Sequence, residues 1–515
     1  MSDTNETLEA LKKAQATPVE ELRKAETQGW SQASGLNHYD LEAPAKKLYP
    51  VITPLRNMIP RVKGNGDTAT HWKAITAINT TNMHMGVGEA ARSGFISQST
   101  KDYVASYKGI GLESFVNFEA EYSLKNFDNA RARAVEGLLR SFFIGEEQII
   151  LGGNSSLALG TCPTPTLATF TPTVASSLGA VNPFKVRCVA LTHDGLGRSS
   201  VAGGVPVTES RTPGDGGSPV TINGGASQVS AEGSINLTAG DVVYATVAPV
   251  KGAWAYAWYW GAAGSELLGA ITPTSSILID DDAAGTQNVS DHVSGAADRS
   301  QDSTVFDGIL TQVSDATGGS YYLDLPNLDA AAAEAAYNAG KDAGTKLTSD
   351  DAGGIAQIDD ALQAFWDNYR LSPELIIVSA RELKTLTRLM ISAGNLNLFA
   401  FNLSGTGPDV GSRTITAGTV IGQYLNKFSM SGGQMVKVML HPNLAPGTIL
   451  FYSSSIPYPL SNVGNVLQIK ARKTYYQIEW PLRTRRYEFG VYADELLQNY
   501  FPPAFGVITN IADGV

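Results

Sequence analysis

The chain has 515 residues, 43% of them hydrophobic, enough to bury several cores and in keeping with about three domains. A formal net charge of −11 excludes a protein whose main work is neutralising phosphates, because such proteins carry clustered Lys and Arg. Charged residues make up only 17% while Gly totals 52, which suits extended loops and close backbone contacts better than a solvated, freely tumbling enzyme.

In chain order, the first thirty residues read as one or two short helices. Leu8, Leu11 and Ala14 share a face, and Thr17-Pro18-Val19-Glu20 offers a cap, a first-turn proline and a capping acid. So polar a helix has too little apolar surface to hold itself folded, so this segment is expected to be an arm. It contains no apolar signal-peptide core, and no later run is long enough to span a membrane, so a cytosolic origin is expected. In "YPVITPLRNMIPR", Tyr49 to Arg61, three prolines are expected to forbid both a regular helix and a central strand. Strand-like runs at Thr70–Asn79 and Tyr103–Asn117, parted by a polar loop, predict a long hairpin without a core of its own. Asp128 is expected to cap a helix reaching about Leu151, striped by Val135, Leu138, Leu139, Phe142, Phe143, Ile149 and Ile150 and ended by Gly152-Gly153.

Between Thr161 and Ser300 the composition turns to Gly, Ser, Thr, Pro and Val. Short strands at Phe184–Ala190, Ile235–Leu237, Val242–Val247, Trp254–Trp260 and Ile277–Ile279, with a turn at His193-Asp194-Gly195, predict an all-β sandwich on the surface. Cys162 and Cys188 both fall here, and two thiols make no disulfide framework; they read as small reduced side chains. From Thr304 the signals alternate. Ile355, Ile358, Leu362, Phe365 and Trp366 keep helical spacing, "ELIIVS" is a buried strand and "ARELKTLTRLMIS" a further helix, with Gly394 to Gly418 as loop. The last segment has a strand at Thr448–Tyr452, a turn at Pro457-Tyr458-Pro459 and a run from Val466 to Tyr492. There Tyr476, Ile478, Trp480 and Leu482 share one face, while Tyr487, Phe489 and Val491 carry the apolar face on the opposite parity. The chain must therefore turn or bulge around Arg483 to Arg486.

Taken together, the segment "LAPGTILFYSSSIPYPL … ARKTYYQIEWPLRTRRYEFGVYADELLQNYFPPAFGVITNIA" resembles the closing peripheral-domain region of tailed-bacteriophage major capsid proteins. The passage "GFISQSTKDYVASYKGIGLESFVNFEAEYS" resembles that family's extension loop, and the helix after it the family's spine helix. "FKVRCVALTHDGLGRSS" is similar to strand-turn segments of fibronectin-III or immunoglobulin-like domains. The resemblance implies an α+β fold of the Hong Kong phage capsid type with an inserted all-β sandwich. Its parts would be an N-terminal arm (1–48), extension-loop region (49–120), spine helix and first peripheral part (121–160), insertion (161–300), axial domain (301–440) and second peripheral part (441–515). It further implies hexamers and pentamers of an icosahedral head that encloses double-stranded DNA, with portal, scaffolding and decoration proteins as partners. Assembly would take place in the host cytoplasm, and the product would be a virion shell without enzymatic activity or cofactor. Trp72, Tyr103 and Tyr107 are the expected hairpin contacts, and Arg483, Arg485, Arg486 and Glu488 the expected pairs between subunits, against the plainer reading of aromatics packed within the hairpin and solvated surface charge. An encapsulin-like compartment is the alternative within the structural class.

Candidate chemistry is thin. Gly86-Val87-Gly88-Glu89-Ala90-Ala91 has the form of a dinucleotide fingerprint, but Gly94 cuts short the helix it should open and no strand-helix unit surrounds it, so a loop is expected. The six histidines, His38, His71, His84, His193, His292 and His441, lack metal-ligand spacing, and Asp280-Asp281-Asp282 lacks the spaced ligands of a calcium loop. The row Trp254, Tyr256, Trp258, Trp260 is either the aromatic core of a small sandwich or a sugar-stacking platform, which would make the chain a carbohydrate-binding surface protein. Exposure of Trp258 decides between them.

Overall fold

The structure, a computed structural model, describes residues 46–79, 85–125, 127–174, 176–293, 297–350, 354–392, 422–429 and 432–513. The expected arm before Lys46 and the Gly394–Gly418 loop lie outside the described residues. The chain divides into two compact units, residues 1–50 with 116–133, and residues 51–115 with 134–515.

In the second unit, α1 (Pro54–Met58) begins on a proline, the one helical position where a missing N–H costs nothing, so the proline-rich segment does hold a turn of helix where none was expected. β1 (Arg61–Lys63) follows, then β2 (Ala69–Asn79) and β3 (Ser97–Ser106), an antiparallel ribbon with Trp72 opposite Tyr103. The second predicted strand is in fact two. The chain breaks at Tyr107, which turns inward, and β4 (Lys108–Asn117) leaves the ribbon to join a different sheet. Glycine permits that sheet to close: at Gly111 a Cβ would collide with the Tyr492 ring.

The first unit holds α2 (Phe118–Ser123), whose Glu121 pairs with Arg131 at 3.1 Å, and the start of α3 (Ala130–Gly152). The capping residue is Asn129 rather than Asp128: its Oδ1 accepts the Ala132 N–H at 3.1 Å, and Asp128 instead pairs with Arg133. Within the second unit α3 buries Leu138, Phe142, Ile150 and Leu151, together with two acids, Glu146 and Glu147.

The Gly/Ser/Thr-rich stretch forms short strands: β5 (Thr166–Phe170), β6 (Phe184–Leu191), β7 (Thr208–Arg211), β8 (Val220–Asn223), β9 (Gly233–Ile235), β10 (Val242–Thr246), β11 (Ala255–Ala262), β12 (Leu267–Thr272) and β13 (Ser276–Ile279). The predicted turn at His193 is a short helix, α4 (His193–Arg198), because the Thr192 hydroxyl accepts the Gly195 N–H. Two sheets, ordered β13-β10-β5 and β12-β11-β6-β9, contribute to one buried cluster in which Val243 and Ile279 of the first meet Val186, Cys188 and Trp258 of the second. The stretch is not set apart as a surface module. Tyr244, with Phe170 and Leu278, packs against Ala333 of the following helix, and the Tyr244 hydroxyl donates to the Leu328 carbonyl at 2.9 Å.

Beyond it come β14 (Tyr321–Asp324), α5 (Ala330–Asn338), α6 (Ala356–Tyr369), β15 (Leu375–Val378), α7 (Ala380–Ser392), β16 (Gln423–Asn426), β17 (Gln434–Leu440), β18 (Ile449–Tyr452), β19 (Leu467–Glu479), β20 (Arg486–Asn499) and β21 (Phe505–Thr509). A six-stranded mixed sheet, ordered β14-β21-β18-β15-β17-β16, takes β15 fully buried at its middle, as the unbroken apolar run "LIIV" requires. A four-stranded sheet, β1-β19-β20-β4, holds the long C-terminal hairpin. The parity switch is resolved by the turn between Glu479 and Arg486. The face of Tyr476, Ile478 and Leu482 is only partly covered, since β1 runs beside β19 only at residues 469–471, whereas Phe489 and Val491 are buried.

Candidate assembly surface

The β2–β3 ribbon is anchored at its root and bare beyond it. At the root the Trp72 ring stacks on Tyr103, centroids 5.5 Å apart, and meets Tyr500 edge-on at 5.9 Å. Thr70 Oγ1 and the Tyr107 hydroxyl are 3.0 Å apart in a buried hydrogen bond, and the Arg472 guanidinium lies over the Tyr107 ring. Lys101 Nζ donates to the Thr317 carbonyl at 3.0 Å. Further out, Ile75, Ile78, Met85, Val87 and Ile96 are exposed, and Phe95 is 100% exposed. An apolar ring left wholly in water forfeits about 1.5–3 kcal/mol of burial, so a row of them is a surface awaiting a cover.

The three expected hairpin contacts therefore serve inside the chain: Trp72 and Tyr103 stack on each other, and Tyr107 is buried at the root. Of the four charged residues at the C-terminal bend, Arg486 and Glu488 form an ion pair with each other, and Arg486 lies over Phe115. Two residues apart on one strand, they point to the same face, which is why they meet. Arg483 is more than half exposed, 4.0 Å from Asp215.

The tryptophan row faces inward. Trp254, Tyr256, Trp258 and Trp260 are all buried, Trp258 at 0% exposure, and the indole N–H of Trp258 donates to Thr272 Oγ1 at 2.8 Å. These residues are core, and the sugar-stacking platform is ruled out, because β11 is the middle of a sheet covered on both faces. The neighbouring glycine shows how closely: a Cβ at Gly269 would strike the Trp260 ring.

A buried ionic junction escaped the sequence reading. Glu147, fully buried, accepts the Leu55 N–H at 2.9 Å and the Arg56 N–H at 2.7 Å, satisfying the first turn of α1. His441 Nε2 is 2.8 Å from the same carboxylate, and His441 Nδ1 accepts the Asn443 N–H, so the hydrogen-bond pattern places the ring proton on Nε2. Glu146 takes Arg56, Arg61 and the Tyr475 hydroxyl, and Arg61 continues to Glu495. Burial raises the Glu495 carboxyl above its usual range, with Arg61 pulling the other way. The only signal in the sequence is a pair of acids inside the apolar stripe "IGEEQII".

A cleft of about 740 Å³ opens between β4, α3, the β7–β8 loop and β20. Its carboxylates are already engaged: Asp194 with Arg198, Glu488 with Arg486, and Glu113 with the Tyr492 hydroxyl at 2.6 Å. Among the described residues no group of His, Cys, Asp and Glu could hold a metal ion, and no helix is long and apolar enough to cross a membrane.

The described residues define a mixed α+β fold from which an apolar ribbon extends. No family model matches the chain, and no curated protein matches it. Among solved structures it is similar to the capsid of Myoviridae phage XM1, at 9% identity and a TM-score of 0.39, covering 94% of this chain and 100% of that one. It is similar also to the capsid of a native GTA particle, at 10% identity and TM-score 0.39 over 94% and 98% of the chains. A third is the holo-SrpI encapsulin complex of Synechococcus elongatus PCC 7942, at 9% identity and TM-score 0.34 over 92% and 94%.

Proposed function

We propose that this protein is a structural shell subunit of the tailed-phage capsid type, without enzymatic activity, whose copies form hexamers and pentamers of an icosahedral head around double-stranded DNA. The observation that carries the reading is the β2–β3 ribbon, whose exposed Ile75, Ile78, Phe95 and Ile96 find burial against other copies. The resemblance of the extension-loop, spine-helix and closing segments to capsid proteins supports it independently. The acidic balance suits a container that encloses nucleic acid without gripping it. Residues 161–300 stand in the proposal as an immunoglobulin-like insertion, and Arg483 and Arg485 as charges at the subunit edge. Portal, scaffolding and decoration proteins would join in the host cytoplasm to complete the virion.

The test is electron microscopy with light scattering on the purified protein, beside Phe95→Asp. Closed particles from the wild type and their loss in the variant support the proposal. A wild type that stays monomeric at high concentration, its ribbon protected from proteases, overturns it.

A further inference from the structure

We propose that Cys162 and Cys188 are a latent disulfide, a thiol pair that hydrogen peroxide converts to one cystine, fastening the segment that follows α3 to the central strand β6.

The two are the chain's only cysteines, and both are buried in the same cluster. Their backbones are held by one short stretch: the Cys162 N–H donates to the Gln228 carbonyl at 3.0 Å, and the Ser230 N–H donates to the Cys188 carbonyl at 2.9 Å. Trp258, opposite Cys188 in register, and Tyr256 pack in the same cluster. The Cys162 thiol is a hydrogen-bonding neighbour of the Cys188 thiol, and burial pushes the Cys188 thiol up. A protonated, buried thiol resists bulky oxidants, so the pair stays reduced in a reducing cell and only a molecule as small as peroxide is admitted. In the first step one thiolate attacks a peroxide oxygen, the O–O bond breaks, and a sulfenic acid and water result. In the second the other thiol attacks that sulfur, the S–O bond breaks, and a second water leaves as the S–S bond forms. Two thiols and one peroxide thus give one cystine and two waters, with both thiol protons in the water.

The experiment treats the intact protein with hydrogen peroxide, quenches it, unfolds it in an alkylating agent and maps the peptides. The expected result is two alkylated cysteines before treatment, none after it, and the peptides of Cys162 and Cys188 joined. In Cys162→Ala, Cys188 is expected to remain a thiol or to carry oxygen. Two alkylated cysteines after treatment, separate sulfinic acids, or a disulfide between copies would each overturn the proposal. None of these readouts depends on whether a shell forms.

Discussion

Trp72 and Tyr103 face each other across β2 and β3 and stack with ring planes 14° apart, which fixes the register of the whole ribbon from its root. A stacked cross-strand aromatic pair contributes about 0.5–1.5 kcal/mol beyond its area. Trp72→Ala is expected to lower the stability of the folded chain by about 1–2 kcal/mol, read from the urea midpoint. Phe95→Asp, at a ring wholly in water, is expected to leave that midpoint unchanged, so that any effect on assembly belongs to contacts between copies.

Glu147 is the single acceptor for the first turn of α1 and for His441. Its removal leaves two backbone donors and an imidazole N–H in a dry site. Glu147→Ala is expected to cost about 3–5 kcal/mol, and Glu147→Gln, which keeps an acceptor oxygen, about 1.5–3 kcal/mol. Chemical denaturation of the two variants side by side checks the ranking.

Acid should weaken the fold through His193. Burial lowers its pKa from 6.5 to about 4, with Nε2 donating to the Asn443 carbonyl. As pH falls below 6.5 the unfolded chain takes up the proton and the folded one refuses it. The stability held at neutral pH is therefore lost between pH 6.5 and 4, about 3 kcal/mol in all. Asp194 and Glu495, whose carboxyls burial raises, protonate more readily when folded and act in the opposite sense. His193→Gln is expected to flatten the acid limb of stability against pH, and an unchanged slope would assign that limb elsewhere.

Trp258→Ala is expected to destabilise the chain by about 3–5 kcal/mol, since it empties a fully buried site between two sheets. Glycan-array binding by the wild type is expected to be absent.

Arg485→Glu tests the proposed edge charges. Slower assembly by light scattering, with the defect shrinking as salt rises, is the expected outcome. Normal assembly at low salt would remove Arg485 from the interface.

What the sequence settled by itself was periodic. Alternation set the strands and the inward face of the Trp254–Trp260 row, helical spacing set α3 and α6, and "LIIV" marked a strand buried on both faces, because backbone geometry maps residue spacing directly onto a face. What only the tertiary structure decided was pairing across distance. Glu147 and His441 are 294 residues apart, Tyr107 and Arg472 meet from opposite ends of the chain, and Arg486 and Glu488 choose each other over an outside partner. A charge or an aromatic ring carries no periodic mark of its partner. Whether it is buried, paired or left in water depends on which distant segments the fold brings beside it, and that is a property of the packed chain.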